Sequence, residues 1–197
     1  MLRPFRAWIP FWRVILSVTL GVFSCGPRPV EAAQLAGVTL PDTATVGTTT
    51  LVLNGIGLRT YSFLAIHIYV ACLYLQQPSH DANVILRSPG VKILQLHFVH
   101  NVNANSMRRT WLTGLVRSCI APCKLSPAVL SHFLAALQPI RAGEDVTLVF
   151  KHDGLDAYYN GISVGHISDT QFTQLMLAVF IGQNVTAPRL KRELLGN

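Results

Sequence analysis

The sequence predicts an α+β domain, on two observations. Runs rich in Val, Ile, Tyr and Phe alternate with period two early in the chain and again past its middle. Apolar residues recur at helical spacing between those runs and at the end. Strands and helices therefore come in blocks, without the strict alternation of a doubly wound sheet.

Taken in order, residues 34–50 read as a first strand or lead-in. Leu51 to Leu53 begins a strand that is expected to break at Asn54-Gly55-Ile56-Gly57, and a long β-rich run follows from Leu58 to Leu75. The alternation around Ile66 to Ala71 is loose, which predicts cover on both faces of that strand. Ser79 to Leu86 reads as a short helix with Asp81 near its start. Val91 to Val99 alternates, with Val91, Ile93, Leu94, Leu96 and Phe98 set against Lys92, Gln95 and His97. From Asn105 to Cys119 the period becomes helical, carried by Met107, Trp111 and Leu115. A second helix spans Ser126 to Leu137, with Ser126 as N-cap and Pro127 at the first position. Asp145 to Lys151 is a strand, and Ala157 to Ile167 is a hairpin around Asn160-Gly161. Helices from Asp169 to Ile181 and from Pro188 to Leu195 close the chain.

The first 33 residues form a separate segment. Arg3, Arg6 and Arg13 precede the apolar run Val14 to Phe23, and Ala32-Ala33 follows. A basic start, a short apolar middle and a small-residue exit make a secretory signal, and the run falls short of the roughly 20 residues that span a bilayer. The expected organisation is a signal peptide over 1–33 and one domain over 34–197, in the periplasm or secreted. Membrane contact is expected only through an uncleaved N-terminus or one lipidated at Cys25, and the domain is expected to be a monomer. Four of the 16 basic residues and one of the 9 acids lie in that segment, leaving a net charge of +4 on the remainder. Those cations are scattered without interleaved aromatics, which argues against nucleic acid as a partner. Cys119 and Cys123, four apart, could close a short disulfide loop at the end of a helix. Cys72 reads as a buried, inert thiol. His67, His97 and His100 are spread over two strands and read as separate residues, so no metal site and no cofactor are expected.

By residue type alone, Arg59 reads as a solvated or ion-paired cation at a strand end. However, Leu53-Asn54-Gly55-Ile56-Gly57-Leu58-Arg59, followed by Ile68-Tyr69-Val70-Ala71-Cys72-Leu73-Tyr74-Leu75, resembles the signature of chalcone isomerase-like proteins. The strand at Leu94 to Val99, the helix with Trp111, Gly143-Glu144-Asp145, Tyr159-Asn160-Gly161, Ala178-Val179-Phe180-Ile181-Gly182 and Leu194-Leu195-Gly196 follow in the same order. The likeness covers roughly residues 37 to 196 and is nearest to the exported bacterial branch.

The resemblance implies an open antiparallel β-sheet, covered by helices on one face, whose cleft is lined by Arg59. In the plant isomerases such an arginine assists addition of a phenolate to an enone, beside a threonine, a tyrosine and an asparagine. The matching positions here fall at or near Tyr69, Asn105 and Leu112, with Val179 at a further polar position, so the arginine is kept and its partners are not. In the fatty-acid-binding members an arginine and a tyrosine hold a carboxylate, and Arg59 with Tyr69 fits that pair. Tyr61, two residues from Arg59, and Trp111, on a helix facing the sheet, complete the expected ligand-binding set. Three functions remain open: binding a small apolar carboxylate, isomerase chemistry on an enone by oxyanion stabilisation, and a structural role with a cleft filled by Trp111, Tyr69 and Phe63.

Overall fold

The computed structural model describes residues 32–61 and 64–197. The apolar leader to residue 31, Cys25 and Phe63 therefore lie outside the described residues.

Three short strands open the domain: β1 (Ala32–Leu35), β2 (Val38–Pro41) and β3 (Thr43–Val46). The long hairpin β4 (Thr49–Tyr61) and β5 (Ile66–Leu75) follows, then α1 (Ala82–Arg87) and β6 (Lys92–Phe98). The helical middle is α2 (Ala104–Ser118) and α3 (Pro127–Ala136). Strands β7 (Asp145–Lys151), β8 (Gly154–Tyr159) and β9 (Ile162–Ile167) precede α4 (Thr170–Ile181) and α5 (Pro188–Leu194). Strands β3 to β9 form one sheet in sequence order, every neighbouring pair antiparallel, and β1–β2 is a separate hairpin.

The two faces of the sheet bury different sets. Ala71, Leu73, Leu94, Leu96, Phe98 and Leu148 meet the helices, while Val70, Cys72, Tyr74, Ile93 and Val149 pack with Leu40 and Leu51 around the β1–β2 hairpin. Strand β5 is buried from Val70 to Leu75, so the loose alternation there reflects cover on both sides. Helix α4 is apolar nearly all round because it runs through the middle of the helical layer, touching α1, α2, α5 and β8. Short polar side chains start the helices: Asp81, Asn103, Ser126 and Asp169 each accept from a backbone N–H two or three residues on.

Three expectations need correction. The lead-in at 34–50 is three strands, not one. The break at Asn54 to Gly57 is absent: β4 runs straight through it, with one extra residue, Asn54, between the pairs Leu53–Tyr74 and Gly55–Leu73. Lys92 lies on the same face as Leu94 and Leu96, buried at the strand start. There its ammonium donates to the carbonyls of Ser88 (2.6 Å) and Gly90 (2.8 Å), and burial lowers its pKa.

Cys119 and Cys123 form a disulfide between α2 and α3, with Cα atoms 5.3 Å apart. Cys72 is a free thiol on the β1–β2 side, and burial pushes its pKa up to about 12, partly offset by Tyr74. It should therefore stay unmodified by iodoacetamide at pH 8 in the native chain and be labelled after denaturation, as read by peptide mapping. Labelling as fast as a free thiol would contradict its placement.

Candidate functional site

The site begins with the glycines of β4. Gly55, Gly57 and Arg59 follow at period two, opposite Leu73, Ala71 and Tyr69 of β5, all on the helix-bearing face. The glycines are there because α5 lies directly on the strand. A methyl at Gly55 would overlap the carbonyl oxygens of Glu193 and Leu194, and one at Gly57 would stand 2.8 Å from Leu190 Cδ1. Side-chain clamps hold the helix in place. Asn54 donates to the Leu194 carbonyl (2.9 Å) and accepts from Ser79 N–H (2.7 Å), while the Glu193 carboxylate accepts from Leu58 N–H (3.0 Å). Arg59 is the first residue of that row with a side chain, and it emerges past the N-terminal end of α5, where its Nη1 lies 3.5 Å from the Thr186 carbonyl.

Arg59 and Tyr69 are direct cross-strand partners, which puts both side chains on one face, and Tyr69 is in turn opposite Phe98 of β6. The Tyr69 and Phe98 rings are 5.3 Å apart, tilted by 58°. Arg59 forms no ion pair among the described residues. The nearby Glu193 is engaged by Leu58 N–H and by Arg189 at 2.7 Å. The Tyr69 hydroxyl has no hydrogen-bond partner among the described residues. Burial pushes its pKa up to about 12, against the opposing pull of the Arg59 charge, so the phenol is a neutral donor at physiological pH.

Both side chains border a cavity of about 200 Å³. That exceeds the roughly 150 Å³ apolar void known to admit benzene. Its floor is the sheet, through Leu96, Phe98, Val146, Leu148 and Ala157. Its roof is Met107 and Trp111 of α2, Phe133 of α3 with Leu137 just past it, and Val179 and Phe180 of α4. From β4 to β9 the lining crosses the sheet, a distance of roughly 24 Å at the usual strand spacing. Trp111 is 8% exposed and stands edge-on to Phe133 (5.5 Å) and Phe180 (5.7 Å), so it is both core and cavity wall. Trp111 and Tyr69 do not by themselves fill the space, and Phe63, the third residue of the packed-cleft alternative, lies outside the described residues.

Tyr61 does not belong to this set. It is 64% exposed and absent from the lining. The ladder is not regular past Arg59: Ile68 of β5 is an extra residue between the pairs Arg59–Tyr69 and Thr60–His67. Two positions matched to the isomerase partners also fall elsewhere. Asn105 is an exposed acceptor for Arg108, and Leu112 points outward. His97 lies on the opposite face, with Nδ1 3.0 Å from Asp145. Among the described residues, no three His, Cys, Asp or Glu side chains gather closely enough for a metal.

Polar members that the sequence did not single out for the site are Thr110, His132, Gln138, Tyr158, Tyr159, His166 and Thr186. Tyr159 donates to Glu144, a bond that raises the phenol pKa and lowers that of the carboxylate. Thr186 had no sequence signal, since its contact with Arg59 joins residues 127 positions apart.

The sequence matches the chalcone isomerase-like family over residues 32–196. The chain belongs to the chalcone isomerase-like family. The fold agrees. A crystal structure of a fatty-acid binding protein from Arabidopsis thaliana superposes with a TM-score of 0.70 at 16% identity, covering 84% of this chain and 96% of that one. A search of curated proteins finds no match. As in the family's architecture, a curled antiparallel sheet carries helices over the face that holds Arg59.

Proposed function

We propose that this chain binds a small apolar carboxylate, a fatty or aromatic acid, with its head between Arg59 and Tyr69 and its tail under α2, α3 and α4. The observation that carries the reading is the cross-strand pair itself: a guanidinium without an acidic partner and a phenol without a hydrogen bond among the described residues, side by side at an apolar cavity. An arginine fork matches a carboxylate bidentately, and the phenol adds a third donor. The structural likeness to a fatty-acid binding protein supports the same reading.

Affinity divides between head and tail. A hydrogen bond to a charged group contributes about 1.5–3 kcal/mol, and each buried CH₂ about 0.8 kcal/mol. The tail therefore sets the strength of binding, and Arg59 sets orientation and selectivity. The isomerase alternative would use the same Arg59 for an oxyanion, but Asn105 and Leu112 stand outside the cavity and the Tyr69 phenol is too weak an acid to serve as a base at neutral pH. We place the domain in an exported compartment, on the basic apolar leader and the Cys119–Cys123 disulfide.

Titration with saturated acids of increasing length, beside their methyl esters, tests the proposal. Acids should bind one to one, tightening about fourfold per CH₂ until the cavity is filled. Each ester should bind at least about tenfold more weakly. Equal affinity for acid and ester, or binding of neither, overturns it.

A further inference from the structure

One surface is left over after the fold and the cavity are accounted for. Helix α2 buries Met107, Trp111, Gly114 and Leu115. Its opposite face carries Leu112 (40% exposed) and Val116 (58%), one turn apart, and Ile120 (47%) follows just past the helix end. Arg109 and Arg117 flank that row on the helix, and Lys124 follows beyond it, all three exposed. A soluble helix normally turns such a row inward, and here nothing among the described residues covers it.

The charge around this row is one-sided. Between Asp42 and Glu144 the only acid is Asp81, and neither α2 nor the α4–α5 connection at 182–187 carries any. Helix α2 reaches the cavity by another flank. Gly114 packs against Val179 of α4, and Thr110, one turn earlier on that flank, is exposed and lines the cavity. The α4–α5 connection closes the circuit. Asn184 donates to the Arg117 carbonyl (3.4 Å) at the end of α2, and Thr186 accepts from Arg59. The exposed side chains of Tyr61 and Ile66 flank the end of the β4–β5 hairpin, beyond Arg59.

We infer that the outward face of α2, with Leu112, Val116, Ile120, Arg109, Arg117 and Lys124, is a docking surface for an anionic lipid bilayer. Apolar side chains enter the headgroup boundary while the cations meet lipid phosphates, which is how a peripheral amphipathic helix sits on a membrane. This contact is separate from any made by the N-terminal leader, and no helix among the described residues is long and apolar enough to cross a membrane. The surface stands on geometry and charge, but choosing a bilayer over an acidic protein rests on the proposed apolar acid, a ligand held in membranes.

The experiment uses the full chain without added ligand. Flotation is measured with vesicles of phosphatidylglycerol mixed into phosphatidylcholine, and with phosphatidylcholine alone. Partition into the anionic vesicles should fall for L112S/V116S/I120S. It should also fall for R109Q/R117Q/K124Q, by about fivefold per cation removed at low salt. To separate this face from any lipid binding by the leader, a local readout accompanies flotation. In the unaltered chain, covalent footprinting of peptide 110–117 and acylation of Lys124 should drop severalfold on anionic vesicles, with melting unchanged in both variants. Footprints that ignore the vesicles, or variants that partition like the unaltered chain, overturn the inference. Since no fatty acid is present, that result is independent of the acid–ester titration, which can succeed or fail alone.

Discussion

Gly55→Ala should cost this domain about 2–3 kcal/mol of stability, although it adds a single methyl to a residue with ordinary backbone angles. The methyl has nowhere to go. It meets the carbonyl oxygens of Glu193 and Leu194, which are backbone atoms at the end of α5 held by the Asn54 amide and by the burial of Leu190, Leu194 and Leu195. Relief requires α5 to lift, exposing those leucines and loosening the wall beside Arg59. For a chain of this length the melting temperature should drop by roughly 5–10 °C, read by circular dichroism. Gly57→Ala is the comparison, because its methyl meets side-chain atoms 2.8 Å away, of which Leu190 Cδ1 and Glu193 Oε2 can rotate aside and only Glu193 Cβ must move with α5. Its loss should be smaller. Should Gly55→Ala melt with the unaltered chain, or Gly57→Ala prove the worse of the two, the seating of α5 on the glycine row is wrong.

That same row explains what could and could not be read from the sequence. Elements specified locally were legible. The caps Asp81, Ser126 and Asp169 marked three helix starts, and Asn160-Gly161 marked a hairpin turn whose two residues do adopt positive φ, 48° and 77°. Gly55 and Gly57 were misread as a break because a glycine in a strand looks the same whether it ends the strand or admits a neighbour. The neighbour, α5, lies about 135 residues away in sequence. Tyr61 keeps the period-two spacing of the row but sits at the exposed end of β4, which counting along the strand does not reveal. Lys92 was assigned by its charge to the polar side, when two carbonyls within four residues satisfy it in place. Arg59 with Tyr69 was reached only through the family resemblance. Their pairing depends on register between two strands, and nothing in the composition of either fixes it.

Arg59→Gln should weaken binding of an apolar acid by roughly 10- to 100-fold and leave its methyl ester nearly unaffected, since what is lost is a charge-assisted pair of bonds to the carboxylate. Folding should hardly change. Arg59 is half-exposed, lacks an acidic partner among the described residues, and has only a long contact to the Thr186 carbonyl to give up. Tyr69→Phe keeps the ring against Phe98 and removes one donor, so its loss should be smaller, near tenfold, and again confined to the acid. The pH profile separates the two partners. A phenol raised from 10 to about 12 contributes its share of stability fully below pH 10 and loses it as pH rises through 12, so it remains a donor across the neutral range. Affinity for the acid should therefore stay flat from about pH 6 to 9. It should fall only where the ligand itself protonates, near the ordinary carboxylate value of about 4.3. An Arg59→Gln protein that still prefers acid over ester would mean that the guanidinium does not hold the head group.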